Sequence, residues 1–166
     1  MKLGLDLYSI RSQDWDAMEK LDYCAELGVE IAHFGLGDLG PMDEENLQAV
    51  KGHADELELE IEVGIGSICE TSVTFNHDDG RSAVERTRDA LHVADILGSP
   101  VLRVLLGNIQ DRWTETPLET HIQNCVETCR AVREQALDLG ITLAVENHAG
   151  DLQGWELKGL IEDAGP

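Results

Sequence analysis

A short phrase recurs along the chain: a helical pattern ending in leucine, usually with glycine after it, and then a β-rich run. It stands as Leu27-Gly28-Val29, Leu57-Glu58-Leu59, Leu97-Gly98-Ser99 and Leu139-Gly140-Ile141. Glycine just past a helix takes the left-handed C-cap conformation, and a strand starting within two residues is the short αβ loop of a βα repeat. The intervals are about the 30 or more residues that a βαβ unit needs. Such a chain is expected to build one strand and one helix per repeat.

Strands are expected at Lys2–Tyr8, Val29–Leu36, Leu59–Ile65, Val101–Leu106 and Ile141–His148. Apolar residues at Met18, Leu21, Cys24 and Leu27, and again at Leu47, Val50, Ala54 and Leu57, mark two amphipathic helices. Asp14 and Asp43 are their expected N-caps. Longer helical patterns fill Ser82–Leu97 and Leu118–Leu139, with Pro117 suited to a first turn, and a fifth helix is expected around Trp155–Asp163. Strict alternation of strand and helix predicts an α/β fold with a parallel sheet.

A doubly wound sheet and a barrel both satisfy that alternation, and the strand faces separate them. Strands buried on both sides read as continuous apolar runs. Here Leu59, Ile61, Val63 and Ile65 alternate with Glu60, Glu62, Gly64 and Gly66, and Leu3, Leu5 and Leu7 with Gly4, Asp6 and Tyr8. Ile141, Leu143 and Val145 likewise alternate with Thr142, Ala144, Glu146 and His148. One face is built to pack on helices, while the other is small, polar or charged. That pattern predicts a partial (β/α)8 TIM barrel of about five βα units whose lumen holds a polar site. Eight units take about 250 residues. Residues 1–166 are therefore read as one domain, the N-terminal portion of such a barrel, with a sixth strand due after Gly165-Pro166. The chain is expected to be truncated there or completed by another chain, with a homo-oligomer as one way to cover the open sheet.

Charge and cysteine content exclude several partners. The chain carries 33 acids against 12 bases, a formal charge of −21. Nucleic acid is excluded as a partner, because binding it relies on Lys and Arg releasing counterions from phosphates. The acids sit mostly where helix outer faces should be, as at Asp43-Glu44-Glu45, and suit a solvated surface or a salt-rich cytoplasm. No stretch approaches the roughly 18 apolar residues of a membrane span, and the opening Met1-Lys2-Leu3-Gly4-Leu5-Asp6 carries an acid where a signal peptide is apolar. Cys24, Cys69, Cys125 and Cys129 form no CxxC pair and read as reduced core thiols. A cytoplasmic protein without membrane contact is expected.

In a β/α barrel the working residues lie at the C-terminal strand ends. Here these are Tyr8, Ser9 and Arg11 after strand one, His33 late in strand two, and Gly64, Gly66 and Cys69 from strand three. Gly107 and Asn108 follow strand four, and Glu146, Asn147 and His148 follow strand five. By alternation Glu146 and His148 share the lumen face, and a carboxylate with an imidazole suits divalent-metal ligation or proton transfer. The structural alternative is an internal salt bridge from Glu146 to Arg103. Glu60 and Glu62, nearer the start of strand three, are expected to pair with Arg103 or line the barrel bottom. Gln110–Thr116, with Trp113, is a candidate lid.

Gly35-Leu36-Gly37-Asp38-Leu39-Gly40 is a literal G-x-G-x-x-G after a strand, with Glu58 and Glu60 some twenty residues on. Alone it would point to a nucleotide-linked oxidoreductase. But the last glycine of that motif belongs inside the helix, and Pro41 with the Asp43 cap places the helix start later.

Leu5-Asp6-Leu7-Tyr8-Ser9-Ile10-Arg11 resembles the opening of sugar phosphate isomerase/epimerase proteins with the xylose-isomerase-like barrel. Glu146-Asn147-His148 is similar to their strand-five motif, and Val101-Leu102-Arg103-Val104 followed by Gly107 to their strand four. The resemblance implies a metal-dependent isomerase or epimerase acting on a sugar or sugar phosphate, with proton transfer next to a carbonyl through an enediolate. It makes Glu146 a ligand of a divalent ion (Mn, Mg, Co or Zn) and a catalytic residue, with Tyr8, Asn147, His148 and Gly107 as substrate contacts. The family's remaining ligands come from later strands, and its strand-two acid is replaced here by His33. Two other readings stay open: a zinc-dependent abasic-site endonuclease, which the acidic charge opposes, and a non-catalytic half-barrel assembly module.

Overall fold

Asp16, Asp43 and Ser82 start three helices by one device: each side chain accepts the backbone N–H three residues on, from Glu19, Asn46 and Glu85. Glu19 and Glu85 reach back to the cap's own N–H, completing capping boxes. The computed structural model describes residues 2–165. Met1 and Pro166, the outer residues of the expected domain, lie outside the described residues. The elements run β1 (Gly4–Asp6), α1 (Ala17–Leu27), β2 (Ile31–Gly35), α2 (Glu44–Glu56), β3 (Glu60–Ser67), α3 (Ala83–Leu97), β4 (Val101–Leu105), α4 (Leu118–Leu139), β5 (Thr142–Glu146) and α5 (Gly154–Ala164). Single turns of 3-10 helix cover Leu7–Ile10, Leu36–Asp38 and Ile109–Trp113.

The helix ends follow the recurring phrase. Gly28, Gly98 and Gly140 stand past α1, α3 and α4 with φ near +70°. The fourth copy has Glu58 in place of glycine, and it too is left-handed, at φ 57°. The cap of α1 is Asp16 and not Asp14, because Asp16 is the acid three residues before Glu19. Pro117 precedes the first turn of α4 as its cap residue.

All five strands are parallel and stand in the order β1-β2-β3-β4-β5. A doubly wound sheet reverses its strand order at a switch point. This one never does, so successive helices pack on one another along one side of the sheet. The core lies between sheet and helices, where Ala32, Phe34, Val63, Leu102 and Val104 meet Leu21, Leu47, Val50, Leu91 and Val126. Among the described residues no helix is long and apolar enough to cross a membrane.

Four strands, β1, β2, β4 and β5, are shorter than their sequence patterns, and in β1 and β5 a side-chain hydrogen bond sets the end. β1 stops at Asp6 because its carboxylate accepts the Tyr8 N–H at 3.0 Å and turns Leu7–Ile10 into a 3-10 helix. β5 stops at Glu146 because the Asp151 carboxylate takes the His148 N–H at 2.9 Å. Tyr8 and His148 thus follow their strands instead of belonging to them. β3 gains two residues beyond Ile65 through an irregularity between Gly64 and Ser67, where Gly64 pairs with Arg103 and Ser67 with Leu105. The extra residue bends β3 locally and increases its twist.

Candidate functional site

The face of the sheet away from the helices carries a layer of partly buried charges. His33 stands at the centre of β2, not at its end, with Nδ1 3.7 Å from Glu62 Oε2. Arg103 on β4 donates from Nη1 to the Ile65 carbonyl at 2.9 Å and places Nε 3.4 Å from Glu146 Oε2. A Cβ on Gly64 would lie 2.7 Å from Arg103 Nε and 2.9 Å from His33 Nε2. Glycine at that point lets the side chains of β2 and β4 close over β3. Arg103 therefore belongs with Glu146, while Glu62 pairs with His33 and Glu60 with Lys2. The expected pairing of Glu60 or Glu62 with Arg103 does not occur, because the register sets Glu62 opposite His33 and Arg103 opposite Gly64.

Above this layer a cavity of about 890 Å³ opens at the C-terminal strand ends, lined by Tyr8, Arg103, Glu146 and His148 among others. Tyr8 is 65% exposed, with its ring under the Arg11 guanidinium at 3.9 Å. Glu146 keeps 42% of its side-chain surface open. A carboxylate, an imidazole and a phenol at one mouth can accept protons and hydrogen-bond a polyol.

Two expected substrate contacts lie outside this lining. Asn147 turns away and donates from Nδ2 to the Leu152 carbonyl at 2.7 Å. Gly107 is buried in the turn after β4, where a Cβ would come within 2.0 Å of Asp111 Oδ2 and 2.4 Å of Ser72 Oγ. Its N–H points at Asp151 Oδ2, 3.3 Å away. Cys69 is also fully buried, with Sγ 3.7 Å from His121 Nδ1. Its hydrogen bond with Cys125, and after it those with Thr71 and His121, pull the Cys69 thiol below the ordinary thiol value against the upward push of burial. No substrate reaches it there. All four cysteines are free and buried, as a reduced core requires.

Two buried carboxylates escaped the sequence reading. Asp111 accepts from Val73 N, Asn108 N and Ser72 Oγ at 2.8, 2.9 and 3.0 Å, which pins the loop expected to be a lid. Trp113 at its tip is exposed and stands outside the cavity lining. Asp151 accepts from His148 N, Leu152 N and Gly107 N, and burial pushes its carboxyl up against those three bonds. The signal for both was the spacing Asn108-x-x-Asp111 and His148-x-x-Asp151, in which an acid three residues on captures a loop N–H.

The G-x-G-x-x-G segment does not form a nucleotide turn. Leu36–Asp38 is a 3-10 turn, Asp38 holds the buried Lys20 of α1 at 2.6 Å, and α2 starts at Glu44, beyond Gly40.

A family profile described as xylose isomerase-like TIM barrel matches residues 21–164. A D-psicose 3-epimerase crystallised in the presence of D-fructose superposes with a TM-score of 0.76 at 19% identity, over 99% of this chain and 60% of that one. The D-psicose 3-epimerase from Clostridium cellulolyticum H10, solved with D-tagatose, gives 0.77 at 18% identity over the same shares. The IOLI protein solved with a zinc atom gives 0.70 at 12% identity, over 100% of this chain and 60% of that one. The chain thus spans about 60% of the length of these structures. No curated protein sequence matches it. Likeness at such identities establishes the fold: an α/β chain forming part of a (β/α)8 barrel.

Proposed function

The chain belongs to the xylose isomerase-like TIM barrel family, and from that premise we propose that residues 1–166 are the N-terminal portion of a sugar isomerase or epimerase that moves a proton next to a carbonyl. The observation that carries the reading is the convergence of Glu146, His148 and Tyr8 on one cavity at the C-terminal strand ends. Carbohydrate as the substrate class draws support from neighbours solved with D-fructose and D-tagatose. The Glu146 carboxylate removes a carbon-bound proton and returns it, His148 holds the neighbouring hydroxyl, and the Tyr8 ring offers a wall to the sugar. The free thiols suit a reducing, cytoplasmic setting.

A divalent ion (Mn, Mg, Co or Zn) is the expected cofactor, supported by the zinc of the IOLI structure. The described residues do not fit it by themselves. They contain no group of three or more His, Cys, Asp or Glu placed to hold a metal, and Glu146 already faces the Arg103 cation. Glu146 is proposed as one ligand only.

Titration of the isotope-labelled chain with D-fructose, with and without MgCl2, tests the reading by nuclear magnetic resonance. Weak binding with shifts at Tyr8, Glu146 and His148, lost in Glu146→Gln, is the expected result. Shifts around Gly35–Gly40 on adding NADH, with none from sugar, would overturn it in favour of the oxidoreductase. Tight stoichiometric Mn2+ binding with sugar turnover by these 166 residues would overturn the half-site.

One observation favours a second reading, a half-barrel module that assembles with its own copies. β5 is a sheet edge, and an apolar groove of about 310 Å³ runs beside it between Leu137, Leu143, Val145 and Ile161. A discrete oligomer unaffected by metal in sedimentation would support that reading, and a monomer would exclude it.

A further inference from the structure

β5 ends at Glu146, so no strand geometry aims the ring of His148, two residues later. The ring is nonetheless held. Its Nδ1 lies 2.6 Å from the carbonyl oxygen of Gly107, in the turn after β4. A carbonyl only accepts, so Nδ1 carries the proton, and the tautomer this selects for the neutral ring turns a bare Nε2 to the rest of the site. Among the described residues Nε2 has no hydrogen-bond partner, and His148 lines the cavity beside Glu146.

What fixes Gly107 and His148 relative to each other is a single buried side chain. Asp151 is fully buried; its Oδ1 accepts the N–H of His148 at 2.9 Å and of Leu152 at 2.6 Å, and its Oδ2 accepts the N–H of Gly107 at 3.3 Å. The carboxylate therefore holds the backbone of both partners of the imidazole bond. A second rung, from Ile109 N to the Ala149 carbonyl at 3.1 Å, closes the clasp between the two loops. Ala149 takes the left-handed conformation at φ 45° to make the turn.

We propose that Asp151 is a positioning residue which, through Gly107, fixes His148 in its Nδ1–H form, so that Nε2 is the atom that accepts a substrate hydroxyl. The assignment rests on the sugar reading above for its ligand class, and on the clasp alone for its geometry. It also gives Gly107 its part: its carbonyl aims the imidazole, and the glycine itself does not touch the sugar.

The test is the tautomer of His148 in the folded, 15N-labelled chain, read from two-bond proton–nitrogen couplings at a pH where the ring is neutral. A protonated Nδ1 and a bare Nε2 are expected, in an excess of roughly tenfold that collapses in Asp151→Asn, whose amide nitrogen cannot accept the Gly107 N–H. Wild-type His148 with its proton on Nε2 would overturn the assignment, even if Asp151→Asn fails to fold. An unchanged tautomer in a folded Asp151→Asn would do so as well. The readout needs no turnover, so a chain that ignores sugars would count against the proposed function while the tautomer still decided this assignment.

Discussion

Arg103 bridges both neighbours of β4: its Nη1 donates to the Ile65 carbonyl of β3 at 2.9 Å while its Nε stands 3.4 Å from Glu146 Oε2 of β5. The guanidinium fits only because Gly64 beneath it has no side chain. Gly64→Ala would set a methyl group 2.7 Å from Arg103 Nε and 2.9 Å from His33 Nε2, but both contacts are with side chains, and Arg103 borders the cavity and can lean into it. A cost of about 1–2 kcal/mol in urea unfolding is expected. Gly107→Ala meets the buried Asp111 and Ser72, which have no such exit, and should cost about 3 kcal/mol or more. Equal losses would show that the two glycines are not crowded in the way described.

Glu58 stands where three other helix ends of the chain have glycine. A left-handed L-residue costs roughly 1–2 kcal/mol, and glycine gives part of that back as unfolded-chain entropy. Glu58→Gly should therefore stabilise the chain by about 0.5–1 kcal/mol in urea unfolding. A destabilised variant would mean that the side chain does something the backbone angle does not reveal.

The fold was legible because its signal is local and repeated: Leu-Gly at the helix ends and alternation along Leu59–Ile65 and Ile141–Glu146 name element, face and layer together. The boundaries were less so. Tyr8 and His148 sit where a strand pattern continues, yet Asp6 and Asp151 capture their N–H groups and end the strand, and a hydrogen bond to a side chain leaves no periodic trace. Of the site, Glu146 and His148 came from alternation, which carries a side chain's face. Asn147 and Gly107 came from their places in the strand-five and strand-four motifs, which do not. The ion pair of Glu146 with Arg103, open as the structural alternative from the sequence, forms diagonally between strands: Arg103 stands opposite Ala144, two residues before Glu146 on the same face.

The formal charge of −21 places most of its excess on exposed helix faces. Self-repulsion among those carboxylates opposes the compact state, and it is screened over about 10 Å at 0.1 M salt but about 3 Å at 1 M. The melting temperature should rise between those two concentrations of NaCl. Maximal stability at low salt would rule out repulsion as a significant term and favour the surface ion pairs instead.

Arg112 and Glu156 form a two-pronged pair, Nη1 to Oε2 at 2.7 Å and Nη2 to Oε1 at 3.0 Å, that ties the 3-10 turn after β4 to the start of α5. The hydrogen bonds from Arg112 hold the Glu156 carboxyl below its ordinary value of 4.5, with the Gln153 N–H adding to them. A carboxyl depressed in the folded state binds its proton more readily once unfolded, so folding gains from the pair above the unfolded value and loses that gain as pH falls through the folded one. Glu156→Gln removes the titration but can still accept the Gln153 N–H through its amide oxygen. Unfolding free energies of wild type and variant should therefore differ by a constant amount near neutral pH, with wild type the more stable. The gap should close as the pH drops below about 4.5. Because every other carboxylate is common to both proteins, the closing of the gap isolates this one pair. A gap that stays constant down to pH 3 would mean that the fork contributes packing and not charge.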